Sequence, residues 1–346
     1  MNILYLHAEV MPYTLSTIDE LVNAGHQVHI IQLDKKKLTK YAVSNTHYNI
    51  YNESGYSYKQ LRNFIASLSP DIIVVSGWMS FTYLKAAYFF KNKGVLIVCA
   101  LDTQWKLTFK KFTSIILFRI SFFNLIFDKY WIPGLSQYEF LNKIGVRKEN
   151  IIYDLYSANK TIFKSKGLTA NKVKKFLFVG RLEESKQIEQ LVNVFSKIDL
   201  ERNDLKLTVI GSGSLSEKIK KISPGNVSFK PFMSSKNLAL QMSKHDCLIL
   251  PSIYDPWGVV VHEAVSMGLA LILSSEIGSR HHFLINNVNG FTFKAGDTRA
   301  LEITITKFLD LSNRDILKFK KNSLALSDRI TPKTSAFNLM SLLDRL

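Results

Sequence analysis

The sequence predicts an α/β protein made of two tandem, Rossmann-like doubly wound domains that face each other across a cleft. Three observations support this fold class. The chain has 346 residues, which is the usual length of two domains. Apolar strand-like runs alternate with helix-like runs, as in a parallel sheet covered on both faces. The alternation stops in a polar segment near the middle of the chain and then begins again.

The first domain is expected over residues 1–160. Its segment Met1–His7 is read as a strand and not as a signal peptide, because it has no basic start and no long apolar stretch. The strands are predicted at Ile3–His7, Val28–Leu33, Asp71–Ser76, Val95–Ala100 and Tyr130–Pro133. The helices are predicted at Thr14–Ala24, Tyr58–Leu68, Met79–Lys93, Phe112–Phe127 and Ser136–Ile144.

The second domain is expected over residues 161–328, after a lysine-rich linker that runs from Ser157 to Lys175. Its strands are predicted at Phe176–Gly180, Leu205–Gly211, Val227–Lys230, Cys247–Pro251 and Ala270–Ser274. Its helices are predicted at Ile188–Ile198, Ser214–Ile222, Lys236–Lys244, Val259–Met267 and Thr298–Leu309. Residues 329–346 are expected to form a last helix, Lys333–Leu343, that docks back on the first domain.

Composition favours a reduced, cytoplasmic, globular protein. Hydrophobic residues make up 47% of the chain, which excludes disorder, and its two cysteines cannot form a disulfide scaffold. The net charge of +17 indicates an anionic partner, which could be nucleic acid, acidic lipid or a phosphorylated substrate. The apolar segment Phe112–Phe127 is too short to span a membrane and is interrupted by Arg119. With lysines on both sides, it is either a core helix or a peripheral helix on the inner face of the cytoplasmic membrane.

The stretch Pro251–Gly268 carries the most informative pattern. A strand ends at Pro251, a turn follows, and a helix begins near Gly258, so the first amides of that helix form an anion or hydroxyl site. Asp255 and Glu263 suit hydrogen bonds to the hydroxyls of a sugar or ribose. In the alternative interpretation, Asp255 only caps the turn and Glu263 lies on the surface.

Two further stretches point to phosphate. Arg181 follows a strand and Gly180 directly, and Lys186 precedes the next helix. A guanidinium and an ammonium at such a junction suit a diphosphate. The stretch around Gly211 is half of a dinucleotide fingerprint, but it lacks the third glycine. A nicotinamide cofactor is therefore not expected, while a close approach of the backbone to a phosphate or base stays open.

In this order, these motifs resemble the family 4 retaining glycosyltransferases, which are nucleotide-sugar enzymes of the GT-B fold. The resemblance is strong over about residues 173–311, and its most specific feature is the pair of acids separated by seven residues. It implies transfer of a sugar from a nucleotide-diphosphate donor to a glycan or lipid-linked acceptor, in cell-surface polysaccharide or lipopolysaccharide synthesis. It also implies retention of the anomeric configuration, with no metal and no cofactor.

The resemblance assigns roles to the motif residues. Arg181 and Lys186 would hold the donor diphosphate and stabilise the leaving group. Asp255 would contact hydroxyls of the transferred sugar, and Glu263 would bind the ribose. Phe232 and Met233 would lie beside the base. The full set of expected donor-binding positions is Gly180, Gly211, Phe232, Met233, Pro256, Trp257, Gly258, Val259 and Val260.

The chain also departs from the family pattern. Asp255 stands where Glu is usual, and Val10–Thr14 replaces a common glycine pair. Asp102 lies near the position of a frequent histidine, so Asp102 and His7 are candidate acceptor or sugar contacts. Two other functions stay open, namely a nucleotide-sugar epimerase on the same fold and a basic membrane-binding module. Nucleic acid is the least expected partner, because the lysines are spread along the chain.

Overall fold

The structure, a computed structural model, describes residues 1–33, 48–52, 56–78, 80–105, 123–170, 172–199, 202 and 204–342. It divides into two compact units. Unit 1 comprises Met1–Ser157 and Ile330–Leu346, and unit 2 comprises Ala158–Arg329. Unit 1 contains a seven-stranded sheet and unit 2 a six-stranded sheet. All strand pairs in both sheets are parallel. The prediction of two doubly wound α/β domains is confirmed.

In unit 1 the strand order is β3-β2-β1-β4-β5-β6-β7. The strands are β1 Asn2–His7, β2 Gln27–Gln32, β3 Asn49–Asn52, β4 Ile72–Ser76, β5 Leu96–Ala100, β6 Lys129–Trp131 and β7 Ile151–Ile152. The described helices are Pro12–Asn23, Tyr58–Leu68, Phe81–Lys91, Phe123–Ile126, Leu135–Ile144 and Pro332–Met340. The strand order reverses between β1 and β4, and ligands of such sheets bind outside the carboxyl ends of the strands at this point.

The edges of unit 1 differ from the sequence prediction. The strands β3 and β7 were not predicted, because they are short and carry no long apolar run. Most of the predicted helix Phe112–Phe127, with Arg119 and the lysines before it, lies outside the described residues. The last helix, Pro332–Met340, packs against the helix Pro12–Asn23. Asn338 of this helix donates hydrogen bonds to Tyr153 O at 3.2 Å and to Asp154 Oδ2 at 3.0 Å.

In unit 2 the strand order is β10-β9-β8-β11-β12-β13. The strands are β8 Lys174–Val179, β9 Leu205–Ile210, β10 Val227–Lys230, β11 Cys247–Leu250, β12 Ala270–Ser274 and β13 Gly290–Phe293. The described helices are Ile188–Asp199, Ser216–Ile222, Ser235–Met242, Val259–Ser266, Arg280–Phe283, Thr298–Leu309 and Asn313–Leu326. The order reverses between β8 and β11, so the loops after these two strands lie at the expected ligand edge.

The linker prediction was wrong at its carboxyl end. Lys174 and Lys175 belong to β8, and Lys174 is buried with its ammonium 2.6 Å from Asn313 Oδ1. The helix Asn313–Leu326 that supplies this partner was not predicted, nor was β13. No helix among the described residues is long and apolar enough to cross a membrane.

Candidate functional site

The loops after β8 and β9 approach each other through glycine. Gly180 N donates to Ile210 O at 3.1 Å, and Leu182 N donates to Ser212 O at 3.0 Å. A Cβ atom on Gly211 would lie 1.9 Å from Gly180 O, and the φ of Gly211 is +149°. Only glycine fits at this position, because any side chain would overlap the neighbouring backbone. The half fingerprint therefore marks a close backbone contact at the ligand edge of the sheet.

Beside this contact lies a pocket of about 200 Å³ with mostly apolar walls. It brings together four of the predicted donor-binding positions, which are Gly180, Gly211, Phe232 and Met233. Arg181 and Leu238 also line it. An apolar slot with bare backbone along one wall can hold a flat ring and read its polar edge with main-chain atoms.

Arg181 lies at the rim of this pocket. Its side chain is 73% exposed, and its NH1 lies 3.1 Å from Glu183 Oε1. An ion pair this exposed contributes little to stability, so the guanidinium can exchange Glu183 for a bound anion. The pairing of Arg181 with Glu183 was not predicted from the sequence.

Lys186 and Asp255 form an ion pair across two loops. Lys186 ends the 3₁₀ turn Glu184–Lys186, and its Nζ lies 2.7 Å from Asp255 Oδ2. The two side chains are only 13% and 16% exposed. Ile253 N also donates to Ser185 O at 2.9 Å, so the backbones of the loops are joined as well. This pairing holds the ammonium at the ligand edge. An ammonium can donate three hydrogen bonds, and Asp255 accepts one of them.

The turn that contains Asp255 and Pro256 leads into the helix Val259–Ser266. Gly258 is the N-cap residue in the left-handed region, with φ +74°, and no side-chain hydrogen bond caps the helix. A Cβ atom on Gly258 would lie 3.5 Å from Asp255 Oδ1, so the ion pair and the start of the helix are adjacent. The first amides, at Val259 and Val260, therefore face the same edge as Lys186 and can bind an anion.

Trp257 can contribute only its backbone to a ligand. Its side chain is buried, and the indole ring lies 5.2 Å from His282 and 6.3 Å from Phe283, measured between ring centroids. Ser279 N donates to Trp257 O at 2.9 Å and so anchors the turn. The expected ligand contacts of this stretch through main-chain atoms stay a prediction.

Glu263 is partly buried, and among the described residues no hydrogen bond or ion pair reaches its carboxylate. Burial raises the pKa of Glu263 to about 7. A carboxylate in this state is costly in the free protein, and a ligand hydroxyl that donates to it would relieve the cost. The alternative of an ordinary surface position for Glu263 is therefore wrong.

His262 has a packing role. Its Nδ1 accepts from Ala158 N at 2.9 Å, and its Nε2 lies 2.9 Å from Ser327 O. The ring stacks on Phe283 at 4.3 Å, and burial lowers the pKa of His262 to about 3. These contacts of His262 anchor the helix Val259–Ser266.

His7 and Asp102 lie in unit 1 and line a separate pocket of about 340 Å³. The pocket is formed by the loops after β1, β4 and β5. His7 is 6% exposed, and burial lowers its pKa to about 4. The sequence interpretation missed the aromatic walls of this pocket, Tyr13, Trp78 and Tyr156. Trp78 could have been found, since it follows β4 and Gly77 directly.

No group of three or more His, Cys, Asp or Glu side chains that could hold a metal ion occurs among the described residues. The predicted site residues fall into two sets, one in each unit. In unit 2 they form a charged edge beside an apolar slot, which can bind an anion attached to a flat ring. In unit 1 they form a polar pocket with aromatic walls.

Residues 159–323 match the family described as "Glycosyl transferases group 1". Among curated proteins, the chain is 34% identical over 122 residues to an uncharacterized glycosyltransferase of Methanocaldococcus jannaschii, covering 34% of this chain and 31% of that protein. It is 28% identical over 111 residues to an uncharacterized glycosyltransferase of Bacillus subtilis, covering 30% of this chain and 31% of that protein. The matched regions thus span about a third of these two relatives. A 41.2 kDa protein in the cps region of Klebsiella pneumoniae is 23% identical over 365 residues, covering 95% of this chain and 97% of that one.

Several solved structures resemble the whole chain, two of which illustrate the likeness. Sucrose-phosphate synthase from Thermosynechococcus elongatus has a TM-score of 0.80 at 16% identity, covering 100% of this chain and 98% of that one. The Anabaena protein HepE, in complex with UDP and glucose, has a TM-score of 0.78 at 15% identity and covers 100% of both chains. These similarities identify the fold as GT-B.

Proposed function

We propose that this chain, a GT-B protein with a glycosyl transferases group 1 domain at residues 159–323, is a retaining glycosyltransferase. It would move a sugar from a nucleotide-diphosphate donor to a glycan or lipid-linked acceptor. The observation that carries the proposal is the convergence in unit 2 of the Lys186–Asp255 ion pair, the uncapped helix start at Gly258 and the partly buried carboxylate of Glu263.

The donor would lie along the ligand edge of unit 2. The base enters the slot beside Phe232 and Met233, and the ribose hydroxyls donate to Glu263. The diphosphate lies against Lys186 and the amides of Val259 and Val260, and Arg181 turns from Glu183 to the same phosphates. HepE has been solved in complex with UDP and glucose and in complex with UDP-glucose, which supports a nucleotide-sugar donor for this chain.

The chemistry would need charge stabilisation more than a protein base. The bond between the anomeric carbon and the diphosphate oxygen breaks, and negative charge develops on the leaving diphosphate. Lys186 and Arg181 stabilise that charge, so neither a metal nor a cofactor is required. The acceptor hydroxyl attacks from the face that the diphosphate leaves, and its proton passes to a phosphate oxygen. Attack from that face retains the anomeric configuration.

Asp255 would serve in two ways. It holds the ammonium of Lys186 in place, and its carboxylate accepts hydrogen bonds from hydroxyls of the transferred sugar. Aspartate is one methylene shorter than the glutamate usual at this position. The shorter side chain places the carboxylate closer to the backbone, and its pairing with Lys186 is consistent with that reach.

The cellular role would be synthesis of a cell-surface polysaccharide or lipopolysaccharide at the inner face of the cytoplasmic membrane. The similarity to a protein from a cps region supports this role. The net charge of +17 favours attraction to anionic lipid, where a lipid-linked acceptor would be found. Salt-sensitive binding to anionic vesicles is the expected result. Absence of binding would remove the membrane part of the proposal.

Product analysis with a panel of nucleotide sugars tests the function. Lys186→Ala and Glu263→Ala should each lose transfer, because one removes charge at the diphosphate and the other a ribose contact. Lys197→Ala is the matched control, since Lys197 pairs with Glu302 on the surface and is 60% exposed. Full transfer by the two site variants would contradict the site assignment. Conversion of the donor to its epimer without an acceptor would instead point to the epimerase.

A further inference from the structure

We propose that a surface of unit 1, formed by the helices Tyr58–Leu68 and Phe81–Lys91, docks on an anionic lipid bilayer and inserts Phe81 into it. The proposed function attributes membrane attraction to the net charge and assigns it no surface. The docking does not depend on the activity of the chain, and only the presence of a lipid-linked acceptor there rests on the proposed function. The surface, named the aromatic–basic face, comprises Tyr58, Arg62, Phe81, Lys85, Tyr88, Phe89 and Lys93.

Large aromatic side chains are exposed along one side of the helix Phe81–Lys91. Phe81 is 68% exposed and Tyr88 is 37% exposed. With Lys85, they stand at positions i, i+4 and i+7, which lie on one face of a helix. The helix buries its other side, including Phe90, in the core of unit 1. Exposed apolar surface that the core does not use is typical of a binding surface for a membrane or a protein.

Cationic groups lie over the rings of this face. Lys85 Nζ is 4.6 Å from the centroid of the Phe81 ring. Arg62 Cζ is 4.9 Å and Lys93 Nζ is 5.9 Å from the centroid of the Phe89 ring. Cation–π contacts occur about once per 70–80 residues, so three on one face are concentrated there. Such pairs suit a bilayer surface, because the ring can enter the acyl boundary while the cation stays at the phosphates.

The two helices contribute to one continuous surface. They pack against each other, and Arg62 of the first helix lies over Phe89 of the second. Tyr58 is 37% exposed, and its hydroxyl oxygen lies 3.5 Å from Lys85 O. Tyrosine is enriched where proteins meet the headgroup region, since its ring is apolar and its hydroxyl is polar. The aromatic–basic face therefore spans both helices and is more than a single exposed side chain.

The charged side chains of the two helices are all positive. Neither helix contains an aspartate or a glutamate, and both begin with a neutral cap, Ser57 and Ser80. From Tyr58 to Lys93 the one acid in the sequence is Asp71, whose Oδ2 accepts from Asn2 N at 2.8 Å. A surface of this charge attracts the headgroups of anionic lipids.

The composition of the face favours a bilayer over other partners. Lysine is depleted at protein–protein interfaces, whereas it is common in segments that bind anionic membranes. Single-stranded nucleic acid stacks its bases on open ring faces. Here a cation already lies over each of the rings of Phe81 and Phe89. A bilayer requires no stacking and contacts the exposed edges of the rings and the cations together.

Flotation of the full chain with lipid vesicles tests the docking. Phosphatidylcholine vesicles that contain phosphatidylglycerol should bind the chain. Lys85→Glu should weaken this binding by about tenfold, because it removes an attraction and adds a repulsion. Lys318→Glu is the matched control, since Lys318 is an exposed helical lysine of unit 2 and its reversal changes the net charge equally. Absence of binding, or an equal loss in the two variants, would overturn the proposal.

Phe81→Trp reports the insertion. Brominated lipid in the same vesicles should quench the fluorescence of the added tryptophan, measured as the difference from the wild type with its four tryptophans. Ile303→Trp is the control, because Ile303 is 59% exposed on the helix Thr298–Leu309 of unit 2. Unchanged unfolding temperatures show that both variants are folded. Equal quenching of the two added tryptophans would contradict insertion at Phe81.

The docking and the proposed function fail separately. Lys85→Glu should keep full sugar transfer to a water-soluble acceptor, because no residue of the aromatic–basic face belongs to the site of unit 2. Absence of transfer by the wild type would remove the proposed function and leave the vesicle results standing. A larger loss of oligonucleotide binding than of vesicle binding in Lys85→Glu would assign the face to nucleic acid and overturn the proposal.

Discussion

The Lys186–Asp255 ion pair is the residue-scale feature on which the proposed chemistry depends. Both side chains are largely buried. The free energy needed to remove the two charges from water is larger than the free energy that an exposed ion pair contributes. The arrangement is useful where a further anion arrives, because the ammonium is already desolvated and held in place. Burial of this pair thus lowers the stability of the free protein but leaves a cation in position for a diphosphate.

Lys186→Ala should therefore affect both stability and transfer. It leaves the carboxylate of Asp255, 16% exposed, without its cation, and we expect a loss of about 2 kcal/mol in the free energy of unfolding. Lys197→Ala should lose less than about 0.5 kcal/mol, because its pair with Glu302 is exposed. Urea denaturation of both variants measures the difference. Equal losses would show that the Lys186 pair is no stronger than a surface pair.

Glu263 should make stability depend on pH. Its pKa is raised from 4.5 to about 7 by burial, so the folded state holds a proton that the unfolded state has released between these values. Stability therefore falls as pH rises from 4.5 to 7. Glu263→Gln should be more stable than the wild type by about 2 kcal/mol at pH 8 and equal to it at pH 4.

Urea denaturation at the two pH values measures this effect. The same variant should bind the nucleotide more weakly, because the amide is a poorer acceptor for the ribose hydroxyls than a carboxylate. A stability difference that does not change with pH would show that ionisation of Glu263 is not its cause.

At the scale of elements, the contact between the loops after β8 and β9 determines the shape of the base slot. Gly211 lets the two backbones touch where any other residue would hold them apart. Gly211 N also donates to Lys230 O at 3.0 Å, which ties β10 to the same point. Three strands thus end together at one wall of the pocket.

Gly211→Ala should disrupt this wall. Its Cβ would lie 1.9 Å from Gly180 O at a φ of +149°, so the two backbones would have to separate. We expect a loss of at least about 3 kcal/mol in the free energy of unfolding. Gly225→Ala is the matched control, since nothing lies within 4 Å of its added Cβ. Thermal unfolding of both variants tests this; comparable stability of the two would contradict the close contact.

The central strands could be predicted from the sequence because their residues are apolar almost throughout. Strands β3 and β7 escaped prediction, since an edge strand needs no apolar run. The helix Asn313–Leu326 was not predicted, because its many charged residues obscure the apolar periodicity of the sequence. Its buried apolar residues are Ile316, Phe319 and Leu326. The motif residues of unit 2 could be named one by one. Their pairing could not, because Lys186 and Asp255 are 69 positions apart and meet only in the folded sheet.

At the scale of the whole molecule, the charged residues at the two pockets differ in sign. The ligand edge of unit 2 presents Arg181 and Lys186, whereas the described lining of the unit 1 pocket presents Glu9 and Asp102. A net charge of +17 alone would suggest nucleic acid. The geometry of the unit 2 site instead predicts one small anionic ligand there.

A thermal-shift screen of the full chain tests whether the partner is a small anionic ligand or nucleic acid. A nucleoside diphosphate at a hundred times its Kd should stabilise the folded state by about 2.7 kcal/mol. Lys186→Ala should lose this shift, and Lys197→Ala should keep it. An oligonucleotide at the same phosphate concentration should give no comparable shift. A larger shift with the oligonucleotide would favour a nucleic-acid partner.

The anomeric configuration of the transferred sugar distinguishes a retaining transferase from an inverting one. Proton NMR of the product made by the full chain from an α-linked nucleotide sugar reads this configuration from the anomeric coupling. We expect an α-linked product, formed at least about 100-fold more slowly by Lys186→Ala because the leaving diphosphate loses its cation. A β-linked product, or an α-linked product formed equally fast by Lys186→Ala, would contradict this expectation.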